Sequence, residues 1–282
     1  MASKSRKSPK VSFLDRFDPE GTIRETLRSY EDSLSSSPPA READQIKVKL
    51  VKMRAAILQL NEWESIAETV GRRGWCFYHR SNIPVYKKAA MSIQTGDSDV
   101  ADEVLCQYWN DNDYLFKWGQ KLRRLYYVDD DFLEGECKNG VIVFRHKILD
   151  EAVALFREKR YEAAIPLVIS QLDGICLDST GGLIGEVRPK KFFGSSSTHL
   201  EDALTFAGHH NCLKLIKEIF STNVAETNTD DSPYRHGIMH GRTLGYGTRT
   251  NALKFFVALD AFMYFSHKRV WRVCDQREHT NV

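Results

Sequence analysis

The sequence predicts an all-α protein, with an N-terminal helical domain followed by a second helical domain. Apolar residues recur at three- and four-residue steps over most of the chain, which is the spacing of one face of a helix. Breaks containing proline and glycine separate these stretches, and one short run has a strand-like composition. The chain has 282 residues, 42% of them hydrophobic, enough for one large or two modest cores. We predict a flexible segment at 1–40, a helical domain at 41–140 and a second at 145–275.

The first half is predicted to be helical up to one extended connector. Residues 24–34 form a short helix, which the paired prolines of SSSPPA at 35–40 terminate. Stretches at 99–109 and 114–127 carry aromatic and leucine residues at helical spacing. Residues 137–144, CKNGVIVF, combine an Asn-Gly turn with strand-forming residues and are predicted to be extended. After the SSSPPA stretch comes a long amphipathic helix, whose apolar face comprises Ile46, Leu50, Met53, Ile57, Leu60, Trp63, Ile66 and Val70.

The second half contains helices interrupted by a long loop. One helix ends near Lys159 and the next covers 161–177, where Pro166 introduces a kink or marks the true start. Residues 178–199 break every periodicity, so they are predicted to be a functional or mobile loop. A further helix is predicted at 200–220.

The last helix, predicted from Asn251 to about Val270, is apolar on nearly all sides. That composition suits burial against several partners, including a second copy of the chain. No apolar run reaches membrane-spanning length, and no apolar signal-peptide region follows the basic N-terminus. The six cysteines form no CxxC pair, which is typical of reduced thiols. We therefore expect a cytoplasmic protein that does not contact membranes.

Positive charge is concentrated near the C-terminus. The net charge of +2 is too small to indicate a nucleic-acid partner on its own. Residues 233–282 hold eight Lys and Arg against three Asp and Glu, a balance of +5, which leaves −3 for residues 1–232. Such an asymmetry can steer a polyanion, although a solvated helix face with a basic tail gives the same pattern.

One stretch, SPYRHGIMHGRTLGYGTRTNALKFFVALD at 232–260, concentrates side chains suited to phosphate chemistry. Arg235 offers a rigid, permanently charged fork for phosphate oxygens, and His236 and His240 can exchange protons near neutral pH. On a regular helix, at about 100° per residue, Arg235 and His240 point roughly 140° apart. The two glycines of RHGIMHG allow an irregular first turn, and a second subunit could also bring the pair together.

An acid stands where the helix at 161–177 would otherwise be apolar. Asp173 lies in the same broad stripe as Leu172 and precedes Gly174. It is either a solvated carboxylate at the edge of the stripe or a partner that orients Arg235 or a histidine. The second interpretation follows if Asp173 is buried, because a buried carboxylate needs a cation or several donors.

Arg235, a polar His236, three further residues and His240 fit the R-polar-x3-H motif. The motif and one earlier segment resemble those of HEPN domains, the helical family named for higher eukaryotes and prokaryotes nucleotide-binding. The motif stretch resembles the last long helix of bacterial members, and YEAAIPLVISQLDGICLD at 161–178 resembles an earlier helix. The resemblance covers roughly residues 145–265 and implies a HEPN-like antiparallel helical bundle. It also favours the orienting role for Asp173.

By resemblance to catalytic HEPN proteins, the chain would be a metal-independent endoribonuclease. It would cut single-stranded RNA, without a cofactor, at a composite site formed by two subunits. His240 would act as base or acid, Arg235 would neutralise charge on the phosphoryl oxygens, and His236 would orient His240 or supply the other proton. Bacterial members of this kind resemble toxins or defence effectors, so an inhibitory or regulatory partner protein is also expected. The residues assigned to RNA binding are Arg242, Tyr246, Arg249, Lys190 and Lys191.

Alternatives stand beside this assignment. The domain could be a non-catalytic HEPN module for dimerisation, nucleotide binding or partner binding, with the motif residues as structural polar contacts. Lys190 and Lys191 adjoin Phe192 and Phe193, which could stack a base or simply anchor the loop; anchoring is the favoured interpretation. Finally, an i, i+4 zinc pair of His236 and His240 would need a third ligand from His209, His210, Cys212 or Asp173.

Overall fold

The computed structural model describes residues 22–78, 81–111, 113–118, 120, 138–180, 215, 235–241 and 243–278. Every regular element in these ranges is a helix and none is a strand, which confirms the predicted all-α class. No helix within them is both long enough and apolar enough to cross a bilayer. In chain order the elements are α1 (Thr22–Ser35), α2 (Ala40–Gly71), α3 (Ile83–Gln94), α4 (Ser98–Asn110), a 3₁₀ turn (Asp113–Phe116), α5 (Lys138–Arg157), α6 (Tyr161–Thr180), α7 (Arg235–Met239) and α8 (Arg249–Glu278).

The described residues fall into two compact units, and the division lies within α2. Residues up to Ser65 belong to the first unit, and residues from Ile66 onward belong to the second. Residues 140–145, where the sequence suggests a domain boundary, lie within α5, and both α4 and α5 belong to the second unit. Within the predicted flexible segment 1–40, the residues of α1 are helical, and 1–21 lie outside the described ranges.

The first unit comprises α1 and most of α2. Arg54 on α2 donates to Glu31 on α1 at 2.7 Å, and the Lys49 ammonium lies 5.7 Å from the centre of the Tyr30 ring. Two positions of the predicted apolar face, Ile46 and Leu50, are buried. Large apolar residues outside that face are exposed, namely Val48, Val51 and Leu58.

The second unit is organised around α8. Every residue from Asn251 to Met263 is buried, as expected for a helix that is apolar on nearly all sides. This helix packs on α6 and α4, while α5 packs on α6 and α3 packs on α4. The ring of Phe256 contacts the rings of Phe116, Trp118 and Phe156, so α8 joins the 3₁₀ turn to α5.

A carboxylate in the second unit accepts from three side chains, which come from two parts of the chain. Asp102 on α4 accepts from Arg73 Nη2 at 2.8 Å, from Trp75 Nε1 at 2.7 Å and from Lys254 Nζ at 3.1 Å. The Lys254 amine also lies 5.5 Å from the centre of the Trp75 ring. Burial lowers the pKa of Lys254, and the adjacent Asp102 opposes that shift. We call these four side chains the Asp102 cluster.

The predicted extended connector at 137–144 is wrong, because α5 begins at Lys138. The apolar residues of this run continue the helical spacing of Ile148, Leu149 and Ala152, and α5 packs along α6. Tertiary packing thus overrides the local preference of Val-Ile-Val-Phe for strand.

Pro166 does not mark the start of its helix. Tyr161 begins α6, and the amides of Ala163 and Ala164 donate to the Arg160 carbonyl oxygen. The same helix continues to Thr180, into the predicted loop at 178–199, whose remaining residues lie outside the described ranges. Apart from Leu215, the same is true of the predicted helix at 200–220.

Candidate functional site

The candidate site centres on an ion pair between α6 and α7. Arg235 Nη2 donates to Asp173 Oδ2 at 2.9 Å, which is the contact expected if Asp173 orients the motif arginine. The Asp173 side chain is 18% exposed and that of Arg235 is 31% exposed. Because a carboxylate fixes one part of the guanidinium while a third of the side chain reaches the surface, Arg235 is both oriented and accessible.

The motif occupies a short helix of its own rather than the start of the long C-terminal helix. Arg235 is the first residue of α7, which has five residues, and His240 lies exposed in the turn that follows. Gly241 ends the helix with φ of +67°, a conformation that favours glycine, and its amide donates to the Ile238 carbonyl oxygen at 3.1 Å. The chain thus leaves the helix at Gly241, while the five residues of α7 that precede it are α-helical.

A second arginine lies against the same stretch of α6. Arg145 on α5 donates from Nη1 to Gln171 Oε1 at 3.1 Å, and Gln171 Nε2 donates to Ser170 Oγ at 3.1 Å. The Arg145 guanidinium covers Gly174 so closely that a Cβ atom built there would lie 2.1 Å from Nη1. Two arginines thus meet the neighbouring residues Asp173 and Gly174.

The chain after α7 runs back along α6 toward its N-terminal end. Tyr246 Oη donates to the Glu162 carbonyl oxygen at 2.9 Å. In a regular helix that carbonyl would accept from the amide of residue 166, but Pro166 has no N–H. The tyrosine hydroxyl therefore replaces the missing helical donor. Next to it, a Cβ on Gly247 would lie 2.3 Å from the Glu162 side chain, so the backbone approaches α6 closely.

Thr248 caps the start of α8. Its Oγ1 accepts from the Asn251 amide at 3.1 Å, and Asn251 Nδ2 donates to the Tyr246 carbonyl oxygen at 3.1 Å. Arg249, the first residue of α8, is half-buried. Burial raises the pKa of the Cys106 thiol, and the positive charge of Arg249 is one of the influences that oppose this shift.

The structure brings Asp173 and Arg235 together but places Tyr246 elsewhere. Asp173 and Glu162 are eleven positions apart on α6, which corresponds to about 16 Å along the helix axis. Tyr246 uses its hydroxyl in the Glu162 contact, and burial, followed by the charge of Glu162, raises its pKa. The side chain of His236 and all of Arg242, Lys190 and Lys191 lie outside the described residues, as do His209, His210 and Cys212 of the zinc alternative.

Sequence reasoning did not identify Arg145 or the Glu162 carbonyl as parts of this region. Pro166 carried a usable signal, since a proline inside a helix leaves the carbonyl four residues earlier without its amide donor. For Arg145 no sequence signal was present, because it directly follows a run whose composition resembles a strand. Comparisons with protein-family models, with curated proteins and with solved structures find no match to this chain.

Proposed function

We propose that this chain is a metal-independent endoribonuclease that cuts single-stranded RNA. The observation that carries the proposal is the Arg235–Asp173 pair at 2.9 Å, with a partly exposed Arg235 side chain and an exposed His240 in the turn that follows the same short helix. Arginine is suited to phosphate oxygens and histidine to proton transfer near neutral pH. The R-polar-x3-H motif, which resembles that of HEPN ribonucleases, supports the same assignment.

The proposed reaction is attack by a ribose 2′-hydroxyl on the adjacent phosphorus. An imidazole takes the 2′-hydroxyl proton, a bond forms between the 2′-oxygen and phosphorus, and the bond from phosphorus to the 5′-oxygen breaks. The leaving 5′-oxygen takes a proton from a second side chain, which acts as an acid, and the products are a 2′,3′-cyclic phosphate and a free 5′-hydroxyl. Arg235, held by Asp173, stabilises the negative charge that develops on the phosphoryl oxygens.

His240 is assigned one of the two proton transfers. A second copy of the chain, or His236, supplies the other, and the composite dimer site belongs to this proposal. Arg242 and Arg249 are assigned to the RNA backbone, with Lys190 and Lys191 as further candidates. Tyr246 is removed from that set, since its hydroxyl already serves the Glu162 carbonyl. A HEPN-like bundle, a toxin or defence role and an inhibitory partner also belong to the proposal.

The test compares the wild-type protein with His240→Ala on total RNA in the presence of EDTA. We expect cleavage by the wild type, loss of at least about a hundredfold in the variant, and products with cyclic or 3′-phosphate ends by mass spectrometry. A matched DNA, which lacks the 2′-hydroxyl, should remain intact.

His146→Ala is the matched control. His146 is also a partly exposed histidine, paired with Asp150 at 2.8 Å on α5, and it should retain full activity. Equal cleavage by wild type and His240→Ala would contradict the proposal. An inert wild type whose His240→Ala variant loses stability would instead support the non-catalytic alternative.

A further inference from the structure

We infer that Arg145 is a second phosphate-binding residue of the site around Asp173 and Arg235, and that Gly174 is the position that admits it. This inference rests on the proposed function and extends it, since it assigns a contact to the RNA backbone. Arg145 belongs to α5, a helix that contributes nothing to the R-polar-x3-H motif.

The position of Arg145 is fixed from two sides. Gln171, which is 5% exposed, accepts from Nη1 at 3.1 Å and is itself held by Ser170. Gly174 has no side chain, so the guanidinium lies where a Cβ would be. The hydrogen bond to Gln171 is to an amide oxygen, and it orients the guanidinium.

Two guanidinium groups lie at neighbouring positions of α6. Arg145 covers Gly174, and Arg235 pairs with the adjacent Asp173. A phosphodiester carries one negative charge and offers oxygen acceptors to guanidinium donors. Both arginines contact adjacent residues of α6, and both are partly exposed. A phosphate bound beside Asp173 can therefore be contacted from α5 as well as from α7.

Gly174 gives the inference a test that does not remove the arginine. In Gly174→Ala the new methyl group would lie 2.1 Å from Arg145 Nη1, so the guanidinium must move. Alanine is also a better helix former than glycine in the interior of α6. Gly174→Ala should thus keep or raise the thermal stability of the protein while it weakens RNA binding.

The experiment measures binding of a labelled, random-sequence pool of single-stranded RNA over a series of salt concentrations. All proteins carry His240→Ala to prevent cleavage. We expect Arg145→Ala to raise Kd about tenfold and to reduce the salt slope by about one phosphate contact. Gly174→Ala should shift Kd in the same direction, and the double variant should match Arg145→Ala alone, because both changes act through one guanidinium.

Arg157→Ala is the control, since it removes an exposed arginine from the far end of the same helix and should leave Kd and the salt slope unchanged. Unchanged binding in both Arg145→Ala and Gly174→Ala overturns the inference, as do fully additive effects in the double variant. If these variants bind normally while the wild type still cleaves, the proposed function stands and only Arg145 is misassigned. If the wild type neither binds nor cleaves RNA, both are overturned.

Discussion

Asp102 and Asp173 are helical carboxylates of the same unit that bind arginine in almost the same way. The N–O distances are 2.8 Å to Arg73 and 2.9 Å to Arg235, and the two carboxylate side chains are 14% and 18% exposed. What differs is the number of donors at each carboxylate. Asp102 also accepts from Trp75 and from the buried Lys254, whereas Asp173 pairs with Arg235. The two arginine side chains are similarly exposed, 36% for Arg73 and 31% for Arg235.

The comparison shows that two equally shielded carboxylates can have different sets of contacts. Asp102 collects three donors from two segments, the stretch after α2 and helix α8, so it is an anchor that links α4 to both. Asp173 instead pairs with one arginine, on α7. We therefore expect loss of Asp102 to affect mainly stability and loss of Asp173 to affect mainly the candidate site.

Removal of the anchor is expected to have the largest effect. Asp102→Ala leaves the buried Lys254 and part-buried Arg73 without their carboxylate and should lower the free energy of unfolding by about 3–5 kcal/mol. Urea unfolding measures this. Asp99→Ala is the control, because the exposed Asp99 lies 3.8 Å from the same arginine and its loss should cost less than about 1 kcal/mol. Equal losses in both variants would contradict the comparison.

Neutralising the acid of the candidate site should affect activity more than stability. In Asp173→Asn the side chain keeps its shape but loses its charge, so Arg235 is oriented less firmly, and RNA cleavage should fall about tenfold or more. The free energy of unfolding, measured in urea, should change by about 1 kcal/mol at most. Asp150→Asn, in an exposed pair with His146, provides a matched control without either effect. If Asp173→Asn cleaved RNA normally and lost as much stability as Asp102→Ala, Asp173 would have the same structural role as Asp102.

The Tyr246 contact predicts a specific coupling with Pro166. Tyr246→Phe leaves the Glu162 carbonyl without the hydroxyl and should destabilise the protein by about 0.5–1.5 kcal/mol. In Pro166→Ala the restored amide can donate to that carbonyl, so the same tyrosine change should cost less in this background. A double-mutant cycle from urea unfolding measures the difference. Identical costs in the two backgrounds would mean that the hydroxyl does not replace the missing amide.

Lys254 predicts the smallest effect, a pH dependence at the alkaline end. Burial lowers its pKa below the ordinary 10.5, so at pH values just under 10.5 the unfolded chain binds more protons than the folded one. The contribution of this amine to stability should therefore become more favourable as pH rises across that window. The free energy of unfolding of the wild type minus that of Lys254→Met, measured at about pH 8 and about pH 10, should increase. A constant or falling difference would refute the shift.

The amino-acid sequence alone predicted the all-α class, the long helix with Ile46 and Leu50 on its buried face, and the last helix, which is buried from Asn251 to Met263. These features depend on the spacing of apolar residues along the chain, which is a local property. The sequence also offered Asp173 as a partner of Arg235 or of a histidine, and in the structure Arg235 donates to it.

Three features could be seen only in the folded chain. Residues 138–144 are helical, the Arg145 guanidinium lies on Gly174, and the Tyr246 hydroxyl donates to the carbonyl that Pro166 leaves without an amide donor. Each of these depends on contacts between segments far apart in the chain. The run before Arg145 is helical where α5 packs along α6, and a carbonyl left without a donor accepts whichever hydroxyl the fold brings to it. Local composition carries no record of which segments will meet.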